Sequence, residues 1–279
     1  MLERDQIRPV VRLALVEDAP AGDVTSQVFI PAEARAAADF VARGPGVMAG
    51  VDVVEVVFEE VDPEVTVAWR VADGDSFGPG DVLGTLSGPA RSILRGERIA
   101  LNLIQRMCGI AAMTAQFVRA VAHTPARVVD TRKTTPGLRA LERHAVRCGG
   151  GHNHRYSLSE AVMAKDNHLA LTGDITAAIR AAREQIPHTM HLEVEVDRIE
   201  QIEPVLAGGV DTIMLDNFSV EELREGVALV GDRAIVEASG GVTLDTVAAI
   251  AETGVDVISV GALTHSVRAL DIGLDVRIL

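Results

Sequence analysis

The residues most suited to chemistry lie in one stretch of the chain, from Asp130 to His168. Between Arg127 and Arg155 it carries seven Arg or Lys and two acids, in a chain with a formal net charge of -14. The only two lysines of the chain, Lys133 and Lys165, both lie in this stretch. A lysine ammonium is a compact, movable point charge, whereas arginine offers a planar fork. We therefore interpret both lysines as site residues.

The other cations of the stretch fit a planar substrate with two carboxylates. Arg132 and Arg155 each carry a guanidinium, which binds a carboxylate through two parallel hydrogen bonds. His154 precedes Arg155 directly, and Lys133 follows Arg132. Together with Lys165, these residues predict a binding site for a dicarboxylate.

A metal site is the alternative use of this stretch. Cys108 and Cys148 have no metal-ligand spacing between them and no secretory context, so we do not expect a disulfide framework. A zinc site would have to combine Cys148 with nearby histidines, namely His144, His152 and His154. The flanking arginines would repel zinc and no compact ligand pair is present, so the dicarboxylate site is favoured.

The second half of the chain repeats a β-type run followed by a helical segment, at intervals of about 22 residues. The runs cover residues 191–196, 211–216, 234–239 and 256–261, and 126–131 and 161–171 supply two further strand candidates. Alternating strands and helices imply parallel strands. Because no dinucleotide-type glycine fingerprint is present, the pattern favours a closed βα barrel over an open sheet.

Active sites of such barrels occupy the carboxyl ends of the strands, and polar residues of this chain fall there. Glu195 and Asp216 end neighbouring strands, and Glu193 has the same parity as Glu195. Paired carboxylates beside a phosphate site suit Mg²⁺, which shares its coordination shell with substrate phosphates. The alternative is that these carboxylates pair with arginines inside the barrel.

Glycines at the ends of the last two strands predict a phosphate site. Backbone N–H groups at such turns, before a helix begins, bind phosphate oxygens. The residues concerned are Ser239, Gly240, Gly241 and Gly261.

The first half has a different organisation. Residues 3–18 and 51–61 have helical patterns, and 95–122 predicts one long helix or two in line. Short runs punctuated by Gly and Pro occupy 29–88, and residues 73–88 resemble the sandwich of biotinyl and lipoyl carrier domains. Those carriers need a lysine in an exposed hairpin, and this region has none. We therefore expect a structural sandwich here.

Composition narrows the class of protein. The chain is 48% hydrophobic and 24% charged, it contains no apolar run of 18 residues, and its first residues are charged. These features predict a soluble cytoplasmic protein without a membrane segment. The sequence pI of about 5.0 argues against nucleic-acid binding, which depends on distributed Lys and Arg.

Five segments together resemble the quinolinate phosphoribosyltransferase family. They are DTRKTTPGLR, GGGHNHRYSLSEAVMAKDNHL, EVEV with IMLDNF, EASGG, and SVGALTHS. The resemblance covers nearly the whole chain. It implies an N-terminal α/β sandwich domain over 1–107, an incomplete α/β barrel over 108–268, and a C-terminal tail over 269–279 that packs back on the N-terminal domain.

The resemblance also implies an activity and an assembly. The family transfers phosphoribosyl from phosphoribosyl pyrophosphate to quinolinate with decarboxylation, giving nicotinate mononucleotide, pyrophosphate and CO2 in NAD biosynthesis. It implies a homodimer in which the N-terminal domain of one subunit covers the barrel mouth of the other, and it leaves assembly beyond the dimer open.

Each matching residue then has an implied role. Arg132, His154 and Arg155 would bind the quinolinate carboxylates, and Arg98 would arrive from the neighbouring subunit. Lys133 and Lys165 would serve both substrates. Glu195 and Asp216 would act on the Mg²⁺ and ribose side, and the glycine turns, Ser239, Gly240, Gly241 and Gly261, would hold the 5-phosphate.

Two other functions compete with this one. The first is a related barrel protein acting on another phosphorylated small molecule, such as a nicotinate phosphoribosyltransferase or a family paralogue encoded near molybdate-transport genes. The second is a carrier or ligand-binding module, as the sandwich segment suggests. The set Arg132, His154, Arg155 and Lys165 favours a dicarboxylate over a monocarboxylate, and the missing hairpin lysine speaks against a carrier.

The lysine interpretation is tested by removing each ammonium. We expect Lys133→Ala and Lys165→Ala each to lower turnover by orders of magnitude, because charge stabilisation by preorganised groups is a large catalytic effect. Steady-state kinetics measure the loss, and circular dichroism checks that the fold is intact. Near-wild-type turnover in both variants would contradict the interpretation.

Overall fold

The protein is described by a computed structural model, which covers residues 2–279 apart from the side chain of Asp166. The chain forms two compact units. Unit 1 holds the chain through Ala115 together with Thr134–Gly150 and Leu263–Leu279, and unit 2 holds Gln116–Lys133 and Gly151–Ala262. Unit 1 therefore includes segments from both sides of the boundary predicted after residue 107.

An antiparallel sheet of four strands is the centre of unit 1. Its order is β12 (Ile272–Ile278), β1 (Arg35–Ala42), β5 (Val82–Pro89) and β3 (Thr66–Trp69). The C-terminal strand β12 pairs with β1 over seven residues, from Ala36–Ile278 to Ala42–Ile272. Two short strands, β2 (Gly46–Val47) and β4 (Ser76–Phe77), form a second antiparallel pair.

Helices of unit 1 include α1 (Arg4–Asp18), α2 (Val24–Phe29), α3 (Val51–Val61) and α5 (Arg139–Cys148), and α4 (Ala90–Val121) continues into unit 2. Apolar residues at helical spacing bury one face of α1, namely Ile7, Val11 and Leu15. Its polar face carries an arginine every four residues, and these pair with glutamates of α3. Arg8, for example, lies 2.6 Å from Glu60.

Six parallel strands form the sheet of unit 2. They are β6 (Arg127–Val129), β7 (Val162–Ala164), β8 (Leu192–Val196), β9 (Thr212–Asp216), β10 (Ile235–Ser239) and β11 (Val257–Ser259). The order in the sheet is β6-β11-β10-β9-β8-β7. The first strand in the sequence, β6, pairs with the last, β11, as in a barrel whose strands follow one another round a ring. The ring is open between β6 and β7, which are the two edge strands of the sheet.

Helices alternate with these strands. They are α6 (Asp166–Leu169), α7 (Ile175–Gln185), α8 (Ile202–Gly208), α9 (Val220–Val230) and α10 (Val247–Ala251), and α11 (Ala262–His265) follows β11. Short 3₁₀ turns cover Ile199–Gln201 and Gly231–Arg233. Within the described residues, no helix is long and apolar enough to cross a membrane.

The repeat predicted from the sequence is confirmed, whereas the prediction of a closed barrel is wrong. Every predicted strand of the second half is present, but β6 and β7 do not pair with each other within the described chain. Each has only three residues, and residues 134–150 of the segment joining them, including α5, belong to unit 1. The incomplete barrel implied by the family resemblance is the architecture found.

Close packing of α4 against the C-terminal segment offers a test of unit 1. A Cβ added at Gly109 would lie 2.2 Å from the carbonyl oxygen of Arg268, which is backbone and has little room to move. We expect Gly109→Ala to lower the free energy of unfolding by ~1–3 kcal/mol, the usual cost of overpacking. Denaturant unfolding measures this change.

Gly44→Ala is the matched control, because nothing lies within 4 Å of a Cβ added at Gly44. We expect this substitution to leave stability unchanged or slightly raised, since alanine restricts the unfolded chain. Equal unfolding free energies for both variants would contradict the close approach at Gly109.

Candidate active site

A cavity of about 280 Å³ opens at the carboxyl ends of the strands of unit 2. Eight residues predicted from the sequence line it: Arg132, Lys133, His154, Arg155, Lys165, Glu195, Asp216 and Ser239. Positive groups come from the segments after β6 and β7, and negative groups come from β8, β9 and β10. The cations after β6, called the positive wall below, thus suit an anion, and Glu195 with Asp216, called the negative wall, suit a cation.

Asp130 organises the positive wall. It is fully buried directly after β6, and its carboxylate accepts the backbone N–H of His154 at 2.8 Å and the side-chain amide of Asn153 at 2.5 Å. The preceding residue, His152, forms a parallel bridge to Val129 of β6. Hydrogen bonds therefore hold residues 152–154 beside β6 at the open side of the sheet.

Two arginines stand close together on this wall. The Arg155 guanidinium donates a hydrogen bond to the Ala161 carbonyl at 2.9 Å. Burial lowers the pKa of Arg155, and the like charge of Arg132 lowers it further, whereas Glu193 opposes both effects. Neighbouring guanidinium groups that repel each other are favourably placed for an anion that pairs with both.

His154 contacts two buried carboxylates. Its Nε2 lies 3.2 Å from Glu193 Oε2 and 3.5 Å from Glu237 Oε2. Both glutamates are about 3% exposed. Burial raises the pKa of Glu193, and the charge of Glu237 raises it further, whereas the hydrogen bond to His154 lowers it.

The charge of the His154 ring follows from these contacts. Burial lowers the pKa of His154, but the hydrogen bonds and charges of Glu193 and Glu237 outweigh it and raise that pKa to about 10. The Arg155 backbone N–H, however, lies 2.7 Å from His154 Nδ1, a contact that requires an unprotonated Nδ1. We assign the protonated ring, because two buried carboxylates face Nε2. The contact between the Arg155 N–H and His154 Nδ1 carries less weight, because these two residues are adjacent in the chain and the local backbone sets the distance between them.

The negative wall carries the predicted metal ligands. Glu195 forms an ion pair with Lys165, and Asp216 accepts the Asn217 side-chain amide at 2.6 Å. Both carboxylates line the same cavity, and oxygen donors of this kind are those that Mg²⁺ prefers. The donor set therefore fits Mg²⁺, and Lys165 balances the charge of Glu195.

The turn after β10 is built around a close backbone approach. A Cβ at Gly240 would lie 2.2 Å from Asn217 Oδ1, and the φ of Gly240 is +90°. Asn217 itself has a φ of 60° and donates its backbone N–H to the Ser239 carbonyl at 2.9 Å. Gly241 also has a positive φ, of 59°. The predicted phosphate turn thus has a backbone that only glycine adopts without strain.

Four predicted site residues are not among those that line this cavity: Gly240 and Gly241 of the turn just described, Gly261 and Arg98. Gly261 follows β11 at the same edge of the sheet but is not among the residues that line it. Arg98 is exposed on α4 and belongs to unit 1. Its predicted arrival from a neighbouring subunit remains a prediction.

Several residues of the cavity lining have no role predicted from the sequence, although a simple signal identifies them. Side chains of a strand alternate between faces, so residues two positions apart share a face. Each of the missed residues lies two positions before a predicted site residue: Met163, Met214, Glu237 and Ser259 precede Lys165, Asp216, Ser239 and Gly261 in this way. Thr131, which directly precedes Arg132, is the exception.

The alternative zinc site is not formed by the residues named for it. Within the described chain, the groups able to hold a metal join His144 and Cys148 with Asp73, and join His154 with Glu193 and Glu237. Asp73 already accepts the His144 Nε2–H at 2.6 Å and the backbone N–H of Gly50 at 2.8 Å. Burial raises the pKa of the Cys148 thiol to about 12, so it remains protonated.

Family comparisons cover both halves of the chain. Residues 23–108 match the family model described as the N-terminal domain of quinolinate phosphoribosyl transferase, and residues 110–275 match its C-terminal domain.

Relatives resemble the chain over nearly its whole length. The nicotinate-nucleotide pyrophosphorylase (carboxylating) of Mycobacterium leprae (strain TN) is 46% identical over 98% of each chain. The probable enzyme of that name from Bacillus subtilis (strain 168) is 42% identical over 98% of this chain and 94% of its own.

Among solved structures, NadC from Streptococcus pyogenes is 39% identical and superposes with a TM-score of 0.96, covering 100% of this chain and 99% of its own. The nicotinate-nucleotide pyrophosphorylase from Francisella tularensis is 35% identical with a TM-score of 0.95, covering 99% and 98%. These matches and the cavity geometry lead to one conclusion. The chain belongs to the quinolinate phosphoribosyl transferase family.

Proposed function

We propose that this chain transfers phosphoribosyl from phosphoribosyl pyrophosphate to quinolinate with decarboxylation, giving nicotinate mononucleotide, pyrophosphate and CO2. Family membership supports this activity. The single observation that carries the proposal is that one cavity is lined both by Arg132, His154 and Arg155 and by Glu195 and Asp216. A dianionic ring and a metal-bound pyrophosphate need these opposite environments in one site.

Quinolinate would occupy the positive wall. Its two carboxylates lie on adjacent ring carbons, so two neighbouring guanidinium groups, those of Arg132 and Arg155, can each donate a pair of hydrogen bonds to one of them. The exposed Lys133 ammonium lies at the rim of the same cavity and adds a flexible charge. Binding this dianion would relieve the repulsion that lowers the pKa of Arg155.

Phosphoribosyl pyrophosphate would occupy the opposite side. Glu195 and Asp216 would hold Mg²⁺, which supplies neutralisation of the pyrophosphate charge when bound. The turn Ser239–Gly240–Gly241 would offer its backbone N–H groups to the 5-phosphate. Lys165, released from its ion pair with Glu195, would be free to contact a phosphate or carboxylate oxygen.

The reaction can then be written from the residues. The C1–O bond to pyrophosphate breaks while the quinolinate nitrogen forms a bond to C1, and binding both reactants in one cavity replaces a bimolecular encounter. Lysine ammonium groups stabilise the charge on the leaving oxygens. The ring nitrogen, now cationic, stabilises by its charge the electron pair left on the adjacent carbon when CO2 departs, and that carbon pair then takes up a proton.

A homodimer with shared sites belongs to this proposal. Arg98 is exposed on α4, and an arginine there would add a third fork for the quinolinate carboxylates if a second subunit presented it at the cavity mouth. The cytoplasmic location expected from the sequence is also part of the proposal.

The direct test is a substrate comparison. Incubation with quinolinate, phosphoribosyl pyrophosphate and Mg²⁺ should release CO2 and form nicotinate mononucleotide, because two arginines match two carboxylates. Nicotinate is the matched control, since it lacks only the carboxylate that is lost, and we expect much slower turnover with it. Radiolabelled CO2 and chromatography of the nucleotide report both outcomes. Equal rates with nicotinate, or turnover of nicotinate alone, would refute the assignment.

Shared sites are tested by mixing two inactive subunits. Arg98→Ala mixed with Lys165→Ala should regain about a quarter of wild-type activity, because half of randomly paired dimers are mixed and each has one intact site. The measurement is specific activity after joint unfolding and refolding.

The control mixture pairs Arg98→Ala with a subunit carrying both Arg98→Ala and Lys165→Ala. A shared site predicts no rescue there, because no pairing contains both an intact barrel and an intact Arg98 across from it. Rescue in neither mixture would count against Arg98 acting across an interface.

A further inference from the structure

Glu237 lies between two cavities of unit 2, and Glu193 lines one of them. Glu237, with His154 and Arg155, lines the cavity of about 280 Å³ at the carboxyl ends of the strands. The same three residues, together with Glu193, line a second cavity of about 410 Å³. Residues at the amino ends of the strands, such as Arg127 and His191, line that second cavity too. Glu237, His154 and Arg155 therefore form a partition between the two cavities, and Glu193 lies on the side of the second one.

Each glutamate leaves one oxygen without a hydrogen bond. Within the described chain, Glu193 Oε1 and Glu237 Oε1 are buried and have no partner, while the Oε2 atoms face His154 Nε2. A buried unsatisfied carboxylate oxygen costs stability, and such groups in native structures usually have a functional reason. If the partition had only a structural role, well-packed apolar residues would form it with a smaller loss of folding free energy.

The charges round His154 explain what the pair does for the cavity. Two of the titratable or charged groups that face the ring or its backbone lie in strands, Glu193 in β8 and Glu237 in β10. The others lie outside strands: Asp130 directly after β6, and Arg155 with its neighbour Arg132. Without the glutamates, a half-buried histidine beside two arginines would lose its proton, because like charges and burial both favour the neutral ring.

We propose that Glu193 and Glu237 are positioning residues that hold His154 as a fixed, positively charged ring in the wall that receives the quinolinate carboxylates. The inference rests on the proposed function and names how this wall keeps its charge. The glutamates act through His154. Their Oε2 atoms hold the ring at Nε2, while Asp130, directly after β6, holds the His154 backbone N–H.

The sign of the effect on binding separates this proposal from simple electrostatics. Two carboxylates near a dianion repel it, so if they acted directly on the substrate, their neutralisation would tighten quinolinate binding. If they act through His154, neutralisation removes a fixed cation from the site and weakens binding. Glutamine substitutions distinguish the two, since they keep side-chain volume and leave the partition between the cavities closed.

The experiment measures kcat and both KM values for Glu193→Gln and Glu237→Gln. We expect the KM for quinolinate to rise about tenfold in each, an ordinary effect of losing a charged hydrogen-bonding group. The KM for phosphoribosyl pyrophosphate should change less than about twofold, because that substrate lies at the other wall. An unchanged or lowered KM for quinolinate would overturn the proposal.

Asp211→Asn is the matched control for structural damage. Asp211 belongs to the same unit, accepts the Leu192 backbone N–H at 2.7 Å and pairs with Arg183 at 2.6 Å, but lines neither of these two cavities. We expect a lower melting temperature and unchanged KM values for this variant. A rise in the quinolinate KM equal to that of the glutamine variants would show that loss of stability alone is sufficient.

A double-mutant cycle tests whether the glutamates act through the imidazole. In a His154→Asn background, adding Glu237→Gln should change the quinolinate KM less than about twofold, because the intermediary is already absent. A further tenfold rise in that background would show that Glu237 acts on the substrate by another route, and would overturn the positioning role.

A readout in the free protein keeps this inference separate from the proposed function. Nitrogen NMR of the imidazoles at pH 8, with His154 assigned by loss of its signal in His154→Asn, should show a protonated ring in the wild type. The variant carrying both Glu193→Gln and Glu237→Gln should show a neutral ring. A neutral His154 in the wild type would refute the inference even if quinolinate is the substrate, whereas absence of turnover with a protonated ring would refute only the substrate.

Discussion

The buried carboxylate of Asp130 is the interaction on which the candidate site depends. The sheet of unit 2 is open between β6 and β7. Within the described chain, no named strand therefore pairs with β6 on that side to fix the position of the backbone beside it. Asp130 provides the missing order by accepting the His154 backbone N–H and the Asn153 amide. A charged acceptor makes such hydrogen bonds stronger than neutral ones. The opening in the sheet and the fixed His154–Arg155 pair are thus two aspects of one arrangement.

Much of unit 2 could be predicted from the sequence because its signals are local. Apolar runs at regular intervals mark the strands, and the polar residues that end them mark one edge of the sheet, where Lys165, Glu195 and Asp216 line one cavity. Period-2 alternation also carried the information needed to place Met214 and Glu237 on the cavity face.

Other features depend on long-range contacts that no local pattern encodes. Closure of the ring was wrongly predicted, because the pattern of strands does not show that residues 134–150 belong to unit 1. Pairing of β12 with β1 joins residues at least 230 positions apart. The contact of Glu193 and Glu237 with one imidazole likewise requires the order of the strands in space, since β8 and β10 are separated by β9.

The use of lysine in this chain has a practical consequence. Both lysines line the candidate cavity, where Lys133 is exposed and the Lys165 side chain is 45% exposed. Reagents that acylate side-chain amines, including common fluorophore esters and activated resins, can therefore react with lysine side chains only inside the cavity. Coupling reactions that leave the binding sites of most proteins untouched would therefore modify this protein inside the candidate cavity.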